Sequence, residues 1–205
     1  MPKVLIVYYS MYGHVLALAR AVEEGAKSVA GTEVVFRRVA EFPEVDKQID
    51  ASEFARGIRE QQKGVPIATL DDLRAADAVI FGSPTRYGNV IAQVKAFIDT
   101  TAQLWLKGEL EGKIGACFTS TASTHGGQES TLLSMMNPMF HLGMIVVGVP
   151  YSTPGMIHTE GRGGTPYGAS VLAGAKGELR PHPADLEIGR AQGRRVAELA
   201  KKLRG

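Results

Sequence analysis

The segment from Ser10 to Val15 has the composition of a phosphate-binding loop. The uncharged run Val4–Tyr9 precedes it, and a helical spacing of apolar residues begins directly after Gly13. Backbone N–H groups at a helix start, the positive end of the helix dipole and the Ser10 hydroxyl would then meet at one point, as a bound phosphate requires. The alternative is an ordinary Ser-capped joint between a strand and a helix.

The glycine spacing narrows the class of phosphate ligand. Gly13 is the only glycine between Val4 and Val15, so the loop matches neither G-x-G-x-x-G nor G-x-x-x-x-G-K-[ST]. A dinucleotide or a nucleoside triphosphate is therefore disfavoured, and a mononucleotide phosphate fits better.

The segment Gly82–Asn89 could hold a flat ring. Pro84 stiffens it, Thr85 and Arg86 supply hydrogen-bond donors, and Tyr87 supplies an aromatic face. These features suit a heteroaromatic ring with a polar edge. A solvated turn, rich in turn-forming residues, is the alternative.

A third segment, Thr119–Gln128, is dense in hydroxyl and small side chains. Its backbone polar groups need either solvent or a polar ligand, because buried groups without partners are costly. Two such loops could coincide by chance. Three loops at one edge of a sheet predict a ligand site.

The elements that would position these loops alternate between strands and helices. Apolar runs at Val4–Tyr9, Ala78–Phe81, Ile114–Phe118 and Met144–Val149 predict strands, the more polar run Glu33–Val39 predicts an edge strand, and helical spacing falls near 15–29, 91–105, 129–142 and 184–203. This order predicts the α/β class, as a flavodoxin-like three-layer α/β/α sandwich with a five-stranded parallel sheet. Ligands bind at the carboxyl ends of such strands, where the three loops would meet.

Two stretches are longer than ordinary connections. Pro43–Pro66 is polar and predicts a short helix around Ser52–Gln61, whereas Pro150–Pro183 holds most of the late glycines and prolines. Segments of this length are usually functional or form interfaces.

Bulk composition excludes several classes of protein. A chain of 205 residues suits one domain, 1–205, and the balance of 23 Lys+Arg against 21 Asp+Glu gives no nucleic-acid footprint. Cys117, the one cysteine, lies in an apolar run and predicts an inert core thiol, and the histidines show no metal-ligand spacing. With no signal peptide and no membrane-length apolar run, we expect a cytoplasmic protein without membrane insertion.

Three separated motifs resemble the WrbA family, flavodoxin-like NAD(P)H:quinone oxidoreductases that bind FMN. They are Tyr8-Tyr9-Ser10-Met11-Tyr12-Gly13-His14, Phe81-Gly82-Ser83-Pro84-Thr85-Arg86-Tyr87-Gly88-Asn89 and Gly163-Gly164-Thr165-Pro166-Tyr167-Gly168-Ala169. The likeness runs from Lys3 to the last helix. The third loop departs from the family pattern, since it is one residue longer and carries Ala122 and His125 where glycine is common.

The resemblance implies roles for the matching residues. The FMN phosphate would bind Ser10, Met11, Tyr12, Gly13, His14 and Val15; the isoalloxazine ring would lie against Pro84, Thr85, Arg86, Tyr87 and Gly88; the pyrimidine side and ribityl chain would contact Ser120, Thr121, Ala122, Ser123, Thr124, His125 and Gly126. His141 would reach the flavin as the catalytic residue, and Trp105 and Tyr12 would bind substrate. The segment after Arg162 would form a rigid flap at a subunit contact.

Two of these roles compete with simpler interpretations. From the residues alone, Trp105 is a core residue at a helix end. His141 stands at a helix C-terminus, where the helix dipole favours a histidine without any catalytic role. The resemblance favours the pocket in both cases.

The resemblance further implies two-electron reduction of quinones by NADH or NADPH, by ping-pong hydride transfer, in a homotetramer with pockets completed by neighbouring subunits. An electron carrier of the flavodoxin type is one alternative, although such carriers are usually strongly acidic. A flavoprotein scaffold that binds a protein partner is the other.

Overall fold

A mainly parallel sheet forms the centre of the computed structural model, which describes residues 1–204. Its strands are β1 (Lys3–Tyr8), β2 (Glu33–Arg38), β3 (Ala78–Arg86), β4 (Asn89–Val90), β5 (Ile114–Thr121), β6 (Ile145–Val146) and β7 (Ser170–Leu172). The parallel strands follow the order β2-β1-β3-β5-β6, β7 pairs in parallel with β5, and β4 pairs antiparallel with β3. The flavodoxin-like order and the edge position of β2 are confirmed.

Helices cover both faces of this sheet. They are α1 (His14–Lys27), α2 (Pro43–Ala51), α3 (Glu53–Gln61), α4 (Leu70–Ala75), α5 (Ala92–Asp99), α6 (Ala102–Leu106), α7 (Gln128–His141) and α8 (Pro183–Arg204). One core cluster joins the sheet to α1 and α8, and the other joins it to the helices from α2 to α7. The central strands are apolar because both of their faces are buried.

Helices α1 and α8 approach each other backbone to backbone. A Cβ atom on Gly25 would overlap the Arg190 carbonyl, and one on Gly193 would overlap the Val22 carbonyl. Glycine at both positions therefore permits the close packing of the C-terminal half of α1 against α8.

The outer edge of the sheet differs from the prediction. Met144–Val149 was expected to form the fifth strand, but only Ile145–Val146 pairs with the start of β5, and β7 pairs with its end. Residues 147–169 leave the edge between these two short strands. Gly163 and Gly168 allow this excursion, because a Cβ atom on either would overlap the backbone of Ser170 or Cys117.

The helix predicted over 91–105 is two helices, which is a second correction. The hydroxyls of Thr100 and Thr101 donate to the carbonyls of Phe97 and Ile98, each at 2.7 Å. Such bonds offer the backbone an alternative to the helical ladder. The chain therefore turns between α5 and α6.

The stretch Pro43–Pro66 holds two helices rather than the one short helix expected. The predicted start at Ser52 is correct for α3, since the Ser52 hydroxyl accepts the Ala55 N–H at 3.2 Å as an N-cap. Helix α2 precedes it with Pro43 at its first position. The pair lies beside the loop that follows β1.

Candidate functional site

Four segments at the carboxyl ends of the parallel strands surround a cavity of about 410 Å³. Three of them are the loops predicted from the sequence, after β1, β3 and β5. The lining residues are Ser10, Met11, Tyr12, His14, Val15, Pro84, Thr85, Arg86, Ser120, Thr121, Ala122 and Ala173–Gly177. The volume lies within the range of small-molecule sites.

The loop after β1 presents an open helix N-terminus to the cavity. Gly13 is the N-cap of α1, has φ +87°, and supplies no capping side chain. The Ser10 hydroxyl accepts the Gly13 N–H at 3.1 Å, which folds the loop under the helix. The first N–H groups of α1 therefore face the ligand side without an internal side-chain acceptor, as an anion site needs.

Helix α3 supports this loop from behind. A Cβ atom on Gly13 would lie 2.9 Å from Ile58 Cδ1, which would have to move, and the φ of +87° strains any other residue there. The Gln62 side chain donates to the Ser10 carbonyl at 2.9 Å and to the Ile58 carbonyl at 3.0 Å. Nothing in the sequence indicated that Pro43–Pro66 would contact the phosphate loop.

The segment after β3 is a hairpin rather than an open loop. Strand β4 pairs back on β3, and the two residues between them, Tyr87 and Gly88, have φ +53° and +75°. Positive φ at both positions is typical of a two-residue type I′ turn. The hairpin aims Thr85 and Arg86 at the cavity, whereas the Tyr87 ring is fully exposed and lies outside its lining.

The residues of the third loop line two different depressions. Ser120, Thr121 and Ala122 line the cavity. Thr124 and His125 line a separate, open depression of about 470 Å³ beside His158 and Arg162. Ser123 and Gly126 lie in neither lining and form the turn between them, where the Gly126 N–H donates to the Ser123 carbonyl at 2.9 Å.

A fourth segment, Ala173–Gly177, closes the cavity. It lies in the stretch Pro150–Pro183 that was expected to be functional or an interface, but its place at the cavity was not predicted. The His14 ring contacts the Leu179 carbonyl at 2.8 Å, and the Leu179 N–H donates to the Ala173 carbonyl at 2.9 Å. The segment is thus tied to the start of α1. Its alanines and glycines after Val171 and Leu172 were the available signal.

The charged lining of the cavity is basic. Arg86 and Lys176 contribute to it, and no carboxylate does within the part of the chain that the structure describes. Behind the loop, Tyr9 donates to Glu41 at 2.6 Å. Burial, together with this hydrogen bond to a carboxylate, raises the pKa of Tyr9, so the phenol stays protonated.

Trp105 and His141 lie away from this cavity within the chain. Helix α7 starts near the carboxyl end of β5, where Gln128 accepts from the Ser170 hydroxyl, and spans about 21 Å over its 14 residues. His141 ends it near the opposite edge, since the Gly112 N–H donates to the Gly143 carbonyl just before β5 begins. Trp105 in α6 is 56% exposed. A role for either at the cavity requires another subunit.

Other candidate chemistry is limited. Burial raises the pKa of the Cys117 thiol, which lies in the core and is not a nucleophile. Residues 1–204 place no group of three or more His, Cys, Asp and Glu side chains where they could hold a metal ion. Within the same residues, no helix combines the length and apolar character needed to cross a membrane.

The family model for NADPH-dependent FMN reductase matches residues 2–158. Curated proteins named NAD(P)H dehydrogenase (quinone) are similar over almost their whole length: 50% identical in Geotalea daltonii over 98% of each chain, and 49% in Geobacter sulfurreducens over 99% of this chain and 100% of that one.

Solved structures agree with the fold. A WrbA-like flavodoxin from Agrobacterium tumefaciens has 25% identity and a TM-score of 0.63, covering 98% of this chain and 99% of that one. Flavodoxin 1 from Bacillus cereus, at 16% identity and a TM-score of 0.59 over 96% and 97% of the chains, shares the fold alone. The family expected from the sequence motifs is confirmed.

Proposed function

The chain belongs to the NADPH-dependent FMN reductase family, and we propose that it is an FMN-dependent NAD(P)H:quinone oxidoreductase. The full-length relatives named NAD(P)H dehydrogenase (quinone), about half identical to this chain, support the activity. The observation that carries the proposal is the uncapped start of α1 at the mouth of the cavity, with Gly13 in a left-handed conformation that strains any residue with a side chain.

The residues at the cavity fit FMN. The N–H groups of His14 and Val15, with the Ser10 hydroxyl, would bind the phosphate. The Gly13 N–H donates to that hydroxyl and would hold it in place. The hairpin segment Pro84–Arg86 would lie against the ring, and the hydroxyls of Ser120 and Thr121 would bind its polar groups or the ribityl chain. When bound, FMN supplies the two-electron redox chemistry that connects NAD(P)H to the quinone.

The protein's own part is to bind, orient and exclude water. The basic lining attracts the phosphates of the cofactor and of the nicotinamide nucleotide. Segment Ala173–Gly177, tied to His14, covers one side of the cavity and keeps bulk water from it. Tyr12 offers the aromatic surface on which a nicotinamide or a quinone stacks.

The kinetic scheme proposed is ping-pong, because both substrates would use one cavity in turn. Double-reciprocal plots of rate against NADH at several quinone concentrations should give parallel lines. Intersecting lines under initial-rate conditions would mean that both substrates bind together, and the shared cavity would be wrong.

The assembly proposed is a homotetramer whose cavities are completed by neighbouring subunits. Support comes from large apolar side chains left exposed outside the cavity: Trp105, Leu106, Leu133, Phe140 and Ile145. Burying them between subunits would also bring Trp105 and His141 toward another chain's cavity. FMN should favour the tetramer in sedimentation, since a ligand held by several subunits stabilises the assembled state. A monomer that is FMN-loaded and fully active would refute this arrangement. The cytoplasmic location expected from the sequence belongs to the same proposal.

The direct test of the activity is reconstitution with FMN, followed by assays with NADH and NADPH and with one-ring and two-ring quinones. An oxidised-flavin spectrum together with steady turnover is expected. FMN binding without turnover of any pair would instead favour a carrier or a scaffold.

A further inference from the structure

Two half-exposed aromatic rings lie stacked at the cavity mouth. The rings of Tyr12 and Phe54 have centroids 6.5 Å apart and an interplanar angle of 15°. Tyr12 is 47% exposed and lines the cavity, whereas Phe54 is 57% exposed and stands outside the lining. Phe54 therefore contacts the site through Tyr12.

The helix that carries Phe54 is fixed to the loop that carries Tyr12. On α3, Ala55 and Ile58 are buried, and Ile58 Cδ1 fills the space beside Gly13. Gln62, just after the helix, donates to the Ser10 carbonyl at 2.9 Å. These contacts are made to Ser10 and Gly13, which flank Tyr12 in sequence. They fix the distance between α3 and the loop, and therefore the position of the Phe54 ring relative to Tyr12.

Phe54 does not belong to the core that stabilises α3. The buried residues of the helix are Ala55 and Ile58, whereas more than half of the Phe54 side chain is exposed to solvent. The Tyr12 hydroxyl has no hydrogen-bond partner within residues 1–204, so packing alone sets the orientation of its ring. Stacking on Phe54 restricts the rotation that a half-exposed tyrosine would otherwise have.

We propose that Phe54 is a positioning residue that holds the Tyr12 ring at the cavity mouth, and that this pair sets the affinity for the flat rings of nicotinamide and quinone substrates. The inference rests on the proposed function and deepens it. It assigns to helix α3 a part in substrate selection, in addition to its support of the phosphate loop.

A double-mutant cycle in the FMN-loaded protein tests this. Phe54→Ala should raise KM for NADH and for quinone about two- to tenfold, as expected for the loss of one aromatic stacking contact, with kcat changed less than about twofold. In a Tyr12→Ala background the same substitution should have no further effect on KM. Phe54→Tyr, which keeps a ring, should restore the KM, whereas Phe54→Leu, which keeps only apolar bulk, should not.

A binding measurement separates positioning from simple stability. Calorimetric titration with NAD⁺, which cannot donate a hydride, should show the same loss of affinity in Phe54→Ala. The FMN dissociation constant should stay within about twofold of wild type. Glu60→Ala, an exposed change on the same helix, is the matched control and should leave all these values unchanged.

The outcomes distinguish this inference from the activity itself. Turnover by the wild type with an unchanged KM and NAD⁺ affinity in Phe54→Ala, or with additive effects of the two substitutions, would overturn the role of Phe54 and leave the activity standing. A wild-type holoenzyme that turns over no quinone would overturn the proposed function, and the substrate role of the pair with it.

Discussion

Two ends of the molecule, the loop edge and the far end, differ in whether one chain assembles their binding groups by itself. The loop edge comprises segments 10–15, 84–86, 120–122 and 173–177, where buried hydroxyls and backbone N–H groups converge on one cavity. The far end comprises α6 and the last turn of α7, where Trp105, Phe140 and His141 are exposed. One chain assembles its polar binding groups by itself. Within residues 1–204, the exposed aromatic rings of the far end have no aromatic partner, as expected of a surface that other subunits cover.

The largest effect should come from breaking the loop edge at Gly13. Gly13→Val puts a branched side chain at φ +87°, with its Cβ 2.9 Å from Ile58 Cδ1. Backbone strain costs roughly 1–3 kcal/mol, and displacement of the N–H groups adds to it, so FMN affinity should fall on the order of a hundredfold. Fluorescence titration with FMN measures the change.

A second glycine with a positive φ, whose Cβ position is not crowded, serves as the control for Gly13→Val. Gly31 has φ +78° and open space around its Cβ position. Gly31→Ala should therefore cost a little stability and leave FMN affinity unchanged. Equal affinities in Gly13→Val and wild type, with both proteins folded by circular dichroism, would remove the phosphate site from this loop.

A smaller and more selective effect is expected at the far end. Trp105→Ala should lower kcat/KM for quinone about tenfold while FMN affinity changes less than about twofold, since Trp105 would contact substrate rather than the phosphate. Leu203→Ala removes a comparably exposed apolar side chain from the opposite face of the sheet and should change neither value. Loss of FMN affinity equal to the loss of quinone use would argue that Trp105 supports the fold instead.

The smallest expected effect is on the pH dependence of stability. It comes from Asp185, which contacts the segment from Arg162 to Ala169 beside the loop edge. Asp185 is 1% exposed and accepts the Gly163 N–H at 3.0 Å, with Arg162 nearby at 3.4 Å. Burial raises the pKa of Asp185 above its ordinary value, despite that hydrogen bond and the charge of Arg162. As the pH falls, the Asp185 carboxylate is therefore protonated in the folded state before it is protonated in the unfolded chain.

Stability should follow the sign of that shift. As the pH falls from neutral to about 4, the ordinary range of an aspartate, the free energy of unfolding of the wild type should increase relative to that of Asp185→Asn, which cannot titrate. Urea unfolding of both proteins at the two pH values measures the difference. A difference that does not vary with pH would mean that burial leaves this carboxyl unperturbed.

Much of the loop edge was predictable because its signals are local. A buried run, a hydroxyl and a single glycine predicted the loop after β1, and polar side chains after two further runs predicted its neighbours. Strand order followed from the alternation of elements. Each of these depends on residues within about ten positions of one another, where periodicity and turn chemistry act.

What could not be predicted depends on contacts between distant segments. The split of the fifth strand needs Gly168 to pass against the backbone of Cys117, 51 residues away. The support of Gly13 by Ile58 and Gln62 likewise joins positions that no local pattern relates. The hydroxyls of Thr100 and Thr101 are local, but an apolar spacing that continues across them hid the break between α5 and α6.

Subunit complementation tests most directly whether the loop edge of one chain works with the far end of another. Gly13→Val breaks the first, and the double change Trp105→Ala with His141→Ala breaks the second. Co-expressed in equal amounts, the two inactive chains should form mixed oligomers in which about a quarter of the sites combine an intact loop edge with an intact far end. Quinone reductase activity near a quarter of wild type is the predicted result. Activity no greater than that of the two parent variants would contradict a shared site and place the whole site within one chain.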